Sequence, residues 1–269
     1  MAPNNCTLQH KLHNKIGLFY ILFSVCAIAG ISLSNFVNPA WIWLHYLTKP
    51  TATALLVPWV LLSRTPVSIR YRNAIAFGLA LAVVGDICLM LPQDYFLAGL
   101  FCFLLTHCAY IYALCCDNIS LSAIRNKKLS SEFILLRAIF IITAVFVIFE
   151  GIAALILIRL WEYLPNSMKI PVSVYAAILA FMAGLAVNRA IVYPFKNPIP
   201  ATPYDVTQHI AKNTTSNSAA FGGIFFVISD SLLAYGRFYV ETPLSPLLVL
   251  GTYYIAQWCF ASSVQRRDQ

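Results

Sequence analysis

Two aspartates carry the first chemistry this sequence offers. Asp86 lies in Gly85-Asp86-Ile87-Cys88-Leu89-Met90-Leu91-Pro92, at the end of an apolar run that starts near Asn73, and Asp230 lies in a matching setting 144 positions later. An acid inside a membrane-crossing run costs roughly 2.5–3.5 kcal/mol on insertion scales, so an acid kept there is functional by default. Two of them invite either acid–base work on a bound molecule or the coupling of proton movement to transport.

Other polar side chains interrupt the apolar runs. Lys49 precedes Pro50, and it serves equally well as a snorkelling cation or as the partner of an acid. His107 and Tyr110 stand three apart on one helical face, where a packed histidine is the ordinary alternative to a site. Tyr253 and Gln257 are i,i+4 neighbours that either serve a site or bond across helices. Arg237 follows Asp230 by two helical turns, placed to anchor at an interface or to meet a phosphate. Glu150 has no other polar residue on its face and ranks low.

These residues need a membrane fold to position them. Hydrophobic residues make up 60% of the 269 and charged residues only 10%, against about 25% charged in a soluble domain. The composition predicts an all-α, polytopic membrane bundle, because the runs reach the roughly 20 residues a bilayer needs and lack the alternation of a barrel. Eight runs are expected, over about 16–36, 40–62, 73–91, 95–116, 133–158, 171–188, 218–236 and 246–264. They define a membrane domain over 16–264, with a short polar segment over 1–15 and a tail over 265–269. The first run mimics a signal-peptidase site at Ala27-Ile28-Ala29, yet its apolar character continues past it, which favours an uncleaved helix. The segment 189–217, rich in Pro, Thr, Asn and Ser, is expected to be a mobile loop.

Charge orients the bundle. The net charge of +8 sits in connecting segments, which argues against nucleic acid as a partner. Thirteen basic residues fall on the N-terminal side of the eight-run arrangement, and only Arg159, Lys169 and Arg237 on the other. That split fits the positive-inside rule with both termini cytoplasmic. Sequons at Asn5, Asn118 and Asn213 then lie on the cytoplasmic side and are expected to carry no glycan. The cysteines lack metal or redox spacing, so neither a metal site nor a disulfide is expected.

Topology converts position into depth at about 1.5 Å per residue. Asp86, Asp230, Lys49, Tyr253, Gln257 and His107 all fall between the bilayer middle and the non-cytoplasmic face, as one cavity open toward that face would require. A faint repeat accompanies this layer. At the same offset, Phe77, Gly78, Val83, Asp86 and Leu89 match Phe221, Gly222, Val227, Asp230 and Leu233, which suggests two parallel four-helix halves.

The chain resembles the YhhN-like lysoplasmalogenases. The matching motifs are Lys49-Pro50, Gly85-Asp86, and Phe103-Leu104-Leu105-Thr106-His107 with Tyr110. Tyr175 follows, then Phe226 to Ala234 with Arg237-Phe238, and Gly251-Thr252-Tyr253-Tyr254 with Gln257. They run in order over roughly 45–262. The loops and the fifth run depart from the pattern, leaving Glu150 and Arg137 without family support.

The resemblance implies hydrolysis of the vinyl ether bond of a lysoplasmalogen, giving a fatty aldehyde and glycerophospho-ethanolamine or -choline, with no cofactor. It implies Asp86 and Asp230 as the catalytic pair, and Lys49, His107, Tyr110, Tyr175, Arg237, Tyr253 and Gln257 as substrate-binding residues. One carboxyl would donate a proton and one carboxylate would steady a cation, as in glycosidase pairs. The implied partner is a membrane lysophospholipid, with the oligomeric state left open. The implied membrane is the endoplasmic reticulum of a eukaryote or the inner membrane of a bacterium. A proton-coupled transporter is the alternative from another class, although a transport path calls for polar groups on both sides of the midplane. A retinal-binding photoreceptor would need its lysine on the final helix rather than at position 49.

Overall fold

The computed structural model describes residues 3–116, 132–196, 203–240 and 242–265, with side chains over 11–116, 139–191, 215–240 and 242–265. Among the described residues eight α-helices follow one another: α1 Pro3–Phe36, α2 Ile42–Leu61, α3 Ile69–Met90, α4 Phe96–Cys116, α5 Glu132–Leu160, α6 Asn166–Lys196, α7 Pro203–Phe238 and α8 Ser245–Ser262. A 3-10 turn, Pro39–Trp41, links α1 to α2. The single β-type pairing among the described residues joins Pro66 to Gln265.

Local chemistry sets the ends. Asn38 caps the 3-10 turn by accepting from Ala40 N, and Ser68 caps α3 by accepting from Tyr71 N. Inside α2, Pro50 and Pro58 each remove an amide donor. The hydroxyls of Thr48 and Thr51 bond back to the carbonyls of Leu44 and Leu47 in the same stretch, so neither is left as an unpaired polar group.

Among the described residues six helices are long and apolar enough to cross a membrane, over Lys11–Phe36, Ile69–Met90, Phe96–Cys116, Ile139–Leu160, Asn166–Ile191 and Thr215–Phe238. Each of the eight expected runs falls on a helix, but α2 and α8 lie outside this set of candidate spans. Their own polar residues are the cause: α2 buries His45, Thr48, Lys49 and Thr53, and the 18-residue α8 buries Tyr253, Tyr254 and Gln257. The outer surface agrees with a membrane setting, since Phe140 and Ile170 are each 74% exposed and many other large apolar side chains point outward.

Three boundaries differ from expectation. Helix α1 begins at Pro3, ahead of the expected apolar run at 16. Helix α6 runs on to Lys196 and α7 begins at Pro203, so most of the segment 189–217 is helical instead of a loop. Residues 197–202, like 117–131, lie outside the described residues. Arg189 explains part of the extension. It is 1% exposed, its Nη1 donates to Tyr71 Oη at 3.1 Å, and its guanidinium lies over the Tyr71 ring. A cation placed by the sequence in a polar loop therefore ties α6 to α3.

The interior is packed by aromatic rings of α4, α7 and α8. Tyr110 stacks on Phe260 with centroids 4.4 Å apart, and Phe226 meets His107 edge-on at 5.1 Å. Gly85 lets α3 approach α4 closely, because a Cβ there would lie 2.7 Å from the Phe103 ring. That approach brings the neighbouring Asp86 into the bundle, where it is 1% exposed.

Candidate functional site

Asp86 is held from two other helices. Its Oδ2 accepts from Thr53 Oγ1 of α2 at 2.6 Å and from Tyr253 Oη of α8 at 2.7 Å. Lys49 Nζ of α2 stands 3.7 Å from Oδ1. A chain of donors leads inward to this carboxylate. Tyr110 Oη donates to Gln257 Oε1 at 2.7 Å, Gln257 Nε2 donates to Tyr253 Oη at 3.1 Å, and Tyr253 donates to Asp86. Every proton in the chain points toward Asp86, so four helices fix its orientation.

Asp230 is held differently. Its Oδ2 accepts from Tyr175 Oη of α6, and His107 Nε2 of α4 lies 3.5 Å away. Tyr175 Oη is also 2.9 Å from His107 Nε2. A hydroxyl that spends its proton on Asp230 can only accept from the ring, so His107 bears its proton on Nε2. His107 Nδ1 is then a buried acceptor without a partner among the described residues. The other oxygen of Asp230 has no hydrogen-bond partner among the described residues, and its side chain is 14% exposed.

Both aspartates reach one cavity of about 550 Å³. Its wall includes Lys49, Asp86 and Tyr253 together with Tyr175, Asp230 and Arg237. The cavity lies at the end of the bundle where the α3–α4 turn meets the end of α7 and the start of α8, because residues 91–96, 236–238 and 245–246 also line it. The site residues expected from the sequence thus divide. Asp86, Asp230, Lys49, Tyr175, Arg237 and Tyr253 face the cavity. His107, Tyr110 and Gln257 are fully buried behind it. The resemblance implies that these three contact substrate; here His107 of α4 meets Tyr175 and Asp230, Tyr110 of α4 donates to Gln257 of α8, and Gln257 donates to Tyr253.

Three residues at the site escaped the sequence reading. Thr53 is a buried donor to Asp86, one helical turn beyond Lys49. His45, one turn before Lys49, lines the cavity, and its Nδ1 is 2.9 Å from the Ala27 carbonyl. A carbonyl only accepts, so Nδ1 carries the proton and the neutral ring keeps an acceptor at Nε2. The i,i+4 spacing of His45, Lys49 and Thr53 was the available signal. Asp94 pairs with Arg237 at 2.5 Å in the exposed mouth, and that guanidinium also lies over Phe96. Arg237 is therefore already paired where the sequence left it open for a phosphate. Among the described residues no group of three His, Cys, Asp or Glu side chains is placed to hold a metal ion.

The family model for the YhhN family matches residues 44–264, from the start of α2 to the end of α8. The chain belongs to the YhhN family. All the residues around Asp86 and Asp230 named above, apart from Ala27 on α1, lie inside the span that this family covers. Curated relatives carry lysoplasmalogenase names. The chain is 28% identical over 198 residues to lysoplasmalogenase TMEM86A of Homo sapiens, and 27% identical to the same protein of Bos taurus. Each match covers 71% of this chain and 65% of the relative. Lysoplasmalogenase TMEM86B of Rattus norvegicus is 24% identical over 235 residues, 85% of this chain and 76% of the relative. No solved structure matches the chain.

Proposed function

We propose that this protein hydrolyses the vinyl ether bond of a lysoplasmalogen, releasing a fatty aldehyde and glycerophospho-ethanolamine or -choline. The observation that carries this reading is the presence of two differently held carboxyls on the wall of one cavity. Membership of the YhhN family and the lysoplasmalogenase names of the relatives point the same way.

The reaction suits the two environments. Vinyl ether cleavage starts with proton transfer to the β-carbon, which creates an oxocarbenium ion. Asp230 is the proton donor in this scheme, since one of its oxygens is open to the cavity. Asp86, with Thr53, Tyr253 and Lys49 directed at it, is the fixed carboxylate that steadies the cation and takes a proton from the attacking water. The resulting hemiacetal collapses as Asp86 returns that proton to the ether oxygen, while the hemiacetal hydroxyl gives its proton to Asp230. Water is consumed, and both carboxyls end as they began. His107, Tyr110 and Gln257 act in this scheme as positioning residues.

All eight helices cross the membrane in this reading, with both termini cytoplasmic and the cavity mouth on the opposite side. α2 and α8 each carry several of the buried polar side chains around Asp86. The two-half arrangement gains support from the bonding pattern. Asp86, on the third helix, is held by the second and the eighth; Asp230, on the seventh, is held by the sixth and the fourth. Each acid therefore takes one neighbour from its own half and one from the last helix of the other.

The test is incubation of purified protein with a lysoplasmalogen and with its saturated ether analogue. Aldehyde from the first and none from the second is expected, because only a vinyl ether can be protonated at carbon. No aldehyde from either would overturn the reading.

A further inference from the structure

A second, smaller cavity of about 60 Å³ lies between α5, α6 and α7. It shares Val172, Tyr175, Asp230 and Ala234 with the main cavity. Beyond these shared residues its wall is apolar: Ala153, Ile156 and Leu157 from α5, Leu179 from α6 and Val227 from α7. Its one other polar side chain, Ser231, already spends its proton on the Val227 carbonyl. The main cavity, by contrast, carries Lys49, Asp86, Asp94 and Arg237. Asp230 and Tyr175 therefore stand at the junction of a polar chamber and an apolar groove.

The groove also leads outward. Helix α5 is the least buried of the candidate spans, and it leans mainly on α6. Its Leu155 and Ile158 are 66% and 69% exposed. An apolar chain leaving Asp230 along α5 would pass directly into hydrocarbon.

We infer that this groove takes the alkenyl chain of the substrate, so that a single-chain amphiphile lies with its headgroup in the polar cavity, its ether at Asp230 and Tyr175, and its chain leaving sideways between α5 and α7. The inference rests on the reading of the substrate as an ether lysolipid. It adds a chain-binding subsite and a lateral route to the bilayer. The cavity of about 60 Å³ admits only the first methylenes; the rest of the chain lies among lipid tails. The groove is a single narrow slot, with room for one chain and not two.

The test uses a saturated ether lysolipid that carries a diazirine on the chain close to the ether oxygen, added to the full-length wild-type protein in lipid vesicles. Photolysis is expected to place adducts on α5 within 153–160 and on α7 within 227–234, displaced by excess unlabelled ether lysolipid. Adducts on α1, α2 or α8, or adducts that are not displaced, would overturn the groove. Because this analogue needs no hydrolysis, the result is independent of the catalytic reading, which fails separately if wild-type protein releases no aldehyde from lysoplasmalogen. A second arm compares Ala153→Trp with Leu155→Trp on the outer face of α5. The first is expected to lower kcat/KM for a long-chain substrate relative to a short-chain one by about tenfold, the discrimination typical of a filled apolar pocket, and the second to leave the ratio unchanged. Equal loss on both chain lengths, or no loss, would also overturn the inference.

Discussion

Tyr253 Oη donates to Asp86 Oδ2 at 2.7 Å across 167 positions of sequence, and it is the last link in a run of donors that begins at Tyr110. The ring itself packs edge-on against Phe103, with centroids 5.8 Å apart. Tyr253→Phe keeps that contact and removes only the hydroxyl. A hydrogen bond to a charged group contributes about 1.5–3 kcal/mol. The expected outcome is a loss of about tenfold or more in kcat with little change in KM, measured by aldehyde release.

The two acids themselves give a larger effect. Asp86→Asn and Asp230→Asn keep the shape of each carboxyl and remove its acid–base capacity. Each is expected to lower aldehyde release by about 10²–10⁴-fold, the usual range for a positioned acid or base. The elution profile of Asp230→Asn in detergent should match wild type, whereas Asp86→Asn leaves Lys49 without its anion, so its activity is compared at a temperature where its fold is shown to be intact. Normal turnover in either variant would refute the two-carboxyl mechanism.

Lys49 is buried beside Asp86, 3.7 Å from Oδ1. Lys49→Met leaves that carboxyl without its cation, and breaking a buried pair from one side costs about 3–5 kcal/mol. A lowered thermal midpoint in detergent is expected. The double change Lys49→Met with Asp86→Asn should recover most of the stability and none of the activity, which separates the structural role of the pair from its chemical one.

At the cavity mouth Arg237 pairs with Asp94, and in the proposed reading it also meets the phosphate of the substrate. The pair is exposed, so it adds only about 0.2–1 kcal/mol to stability. Its effect should appear in binding, with opposite signs for the two partners. Arg237→Gln is expected to raise KM for a phosphate-bearing substrate, whereas Asp94→Asn frees the guanidinium and is expected to lower KM. Steady-state kinetics at two salt concentrations check both, and added salt should shrink the difference.

Topology offers a check that needs no substrate. With both termini cytoplasmic, the sequon at Asn213 stays on the cytoplasmic side. Expression in eukaryotic membranes should give a chain whose mobility glycosidase treatment does not change. A glycan on Asn213 would invert the orientation argued from charge.

Much of the site was legible in the sequence, for a definite reason. A carboxylate, a lysine or a histidine inside an apolar run is conspicuous because water is absent there to explain it. Asp86, Asp230 and Lys49 stood out on that ground alone, and the order of motifs brought in Tyr175 and Arg237. Asp94, by contrast, sits in a turn where a charge is unremarkable. Thr53 and His45 are residue types that apolar helices tolerate, so their share in the site was hidden among ordinary alternatives.

The sequence by itself determined the all-α, apolar-helix class of the protein, the order of the apolar runs, and the two acids that stand out within them, because composition and run length report directly on transfer from water to hydrocarbon. Only the tertiary structure decided which partners each acid has and which residues face the cavity. A membrane helix is apolar on its lipid face and on its packed face alike, so periodicity does not reveal its rotation. His107, Tyr110 and Gln257 looked like cavity residues for that reason and are buried behind the wall. The bonds that settle the matter join positions 55, 147 and 167 apart. Such separations are bridged only when whole helices have packed, with Gly85 letting α3 approach α4 and the ring of Tyr110 stacked on Phe260.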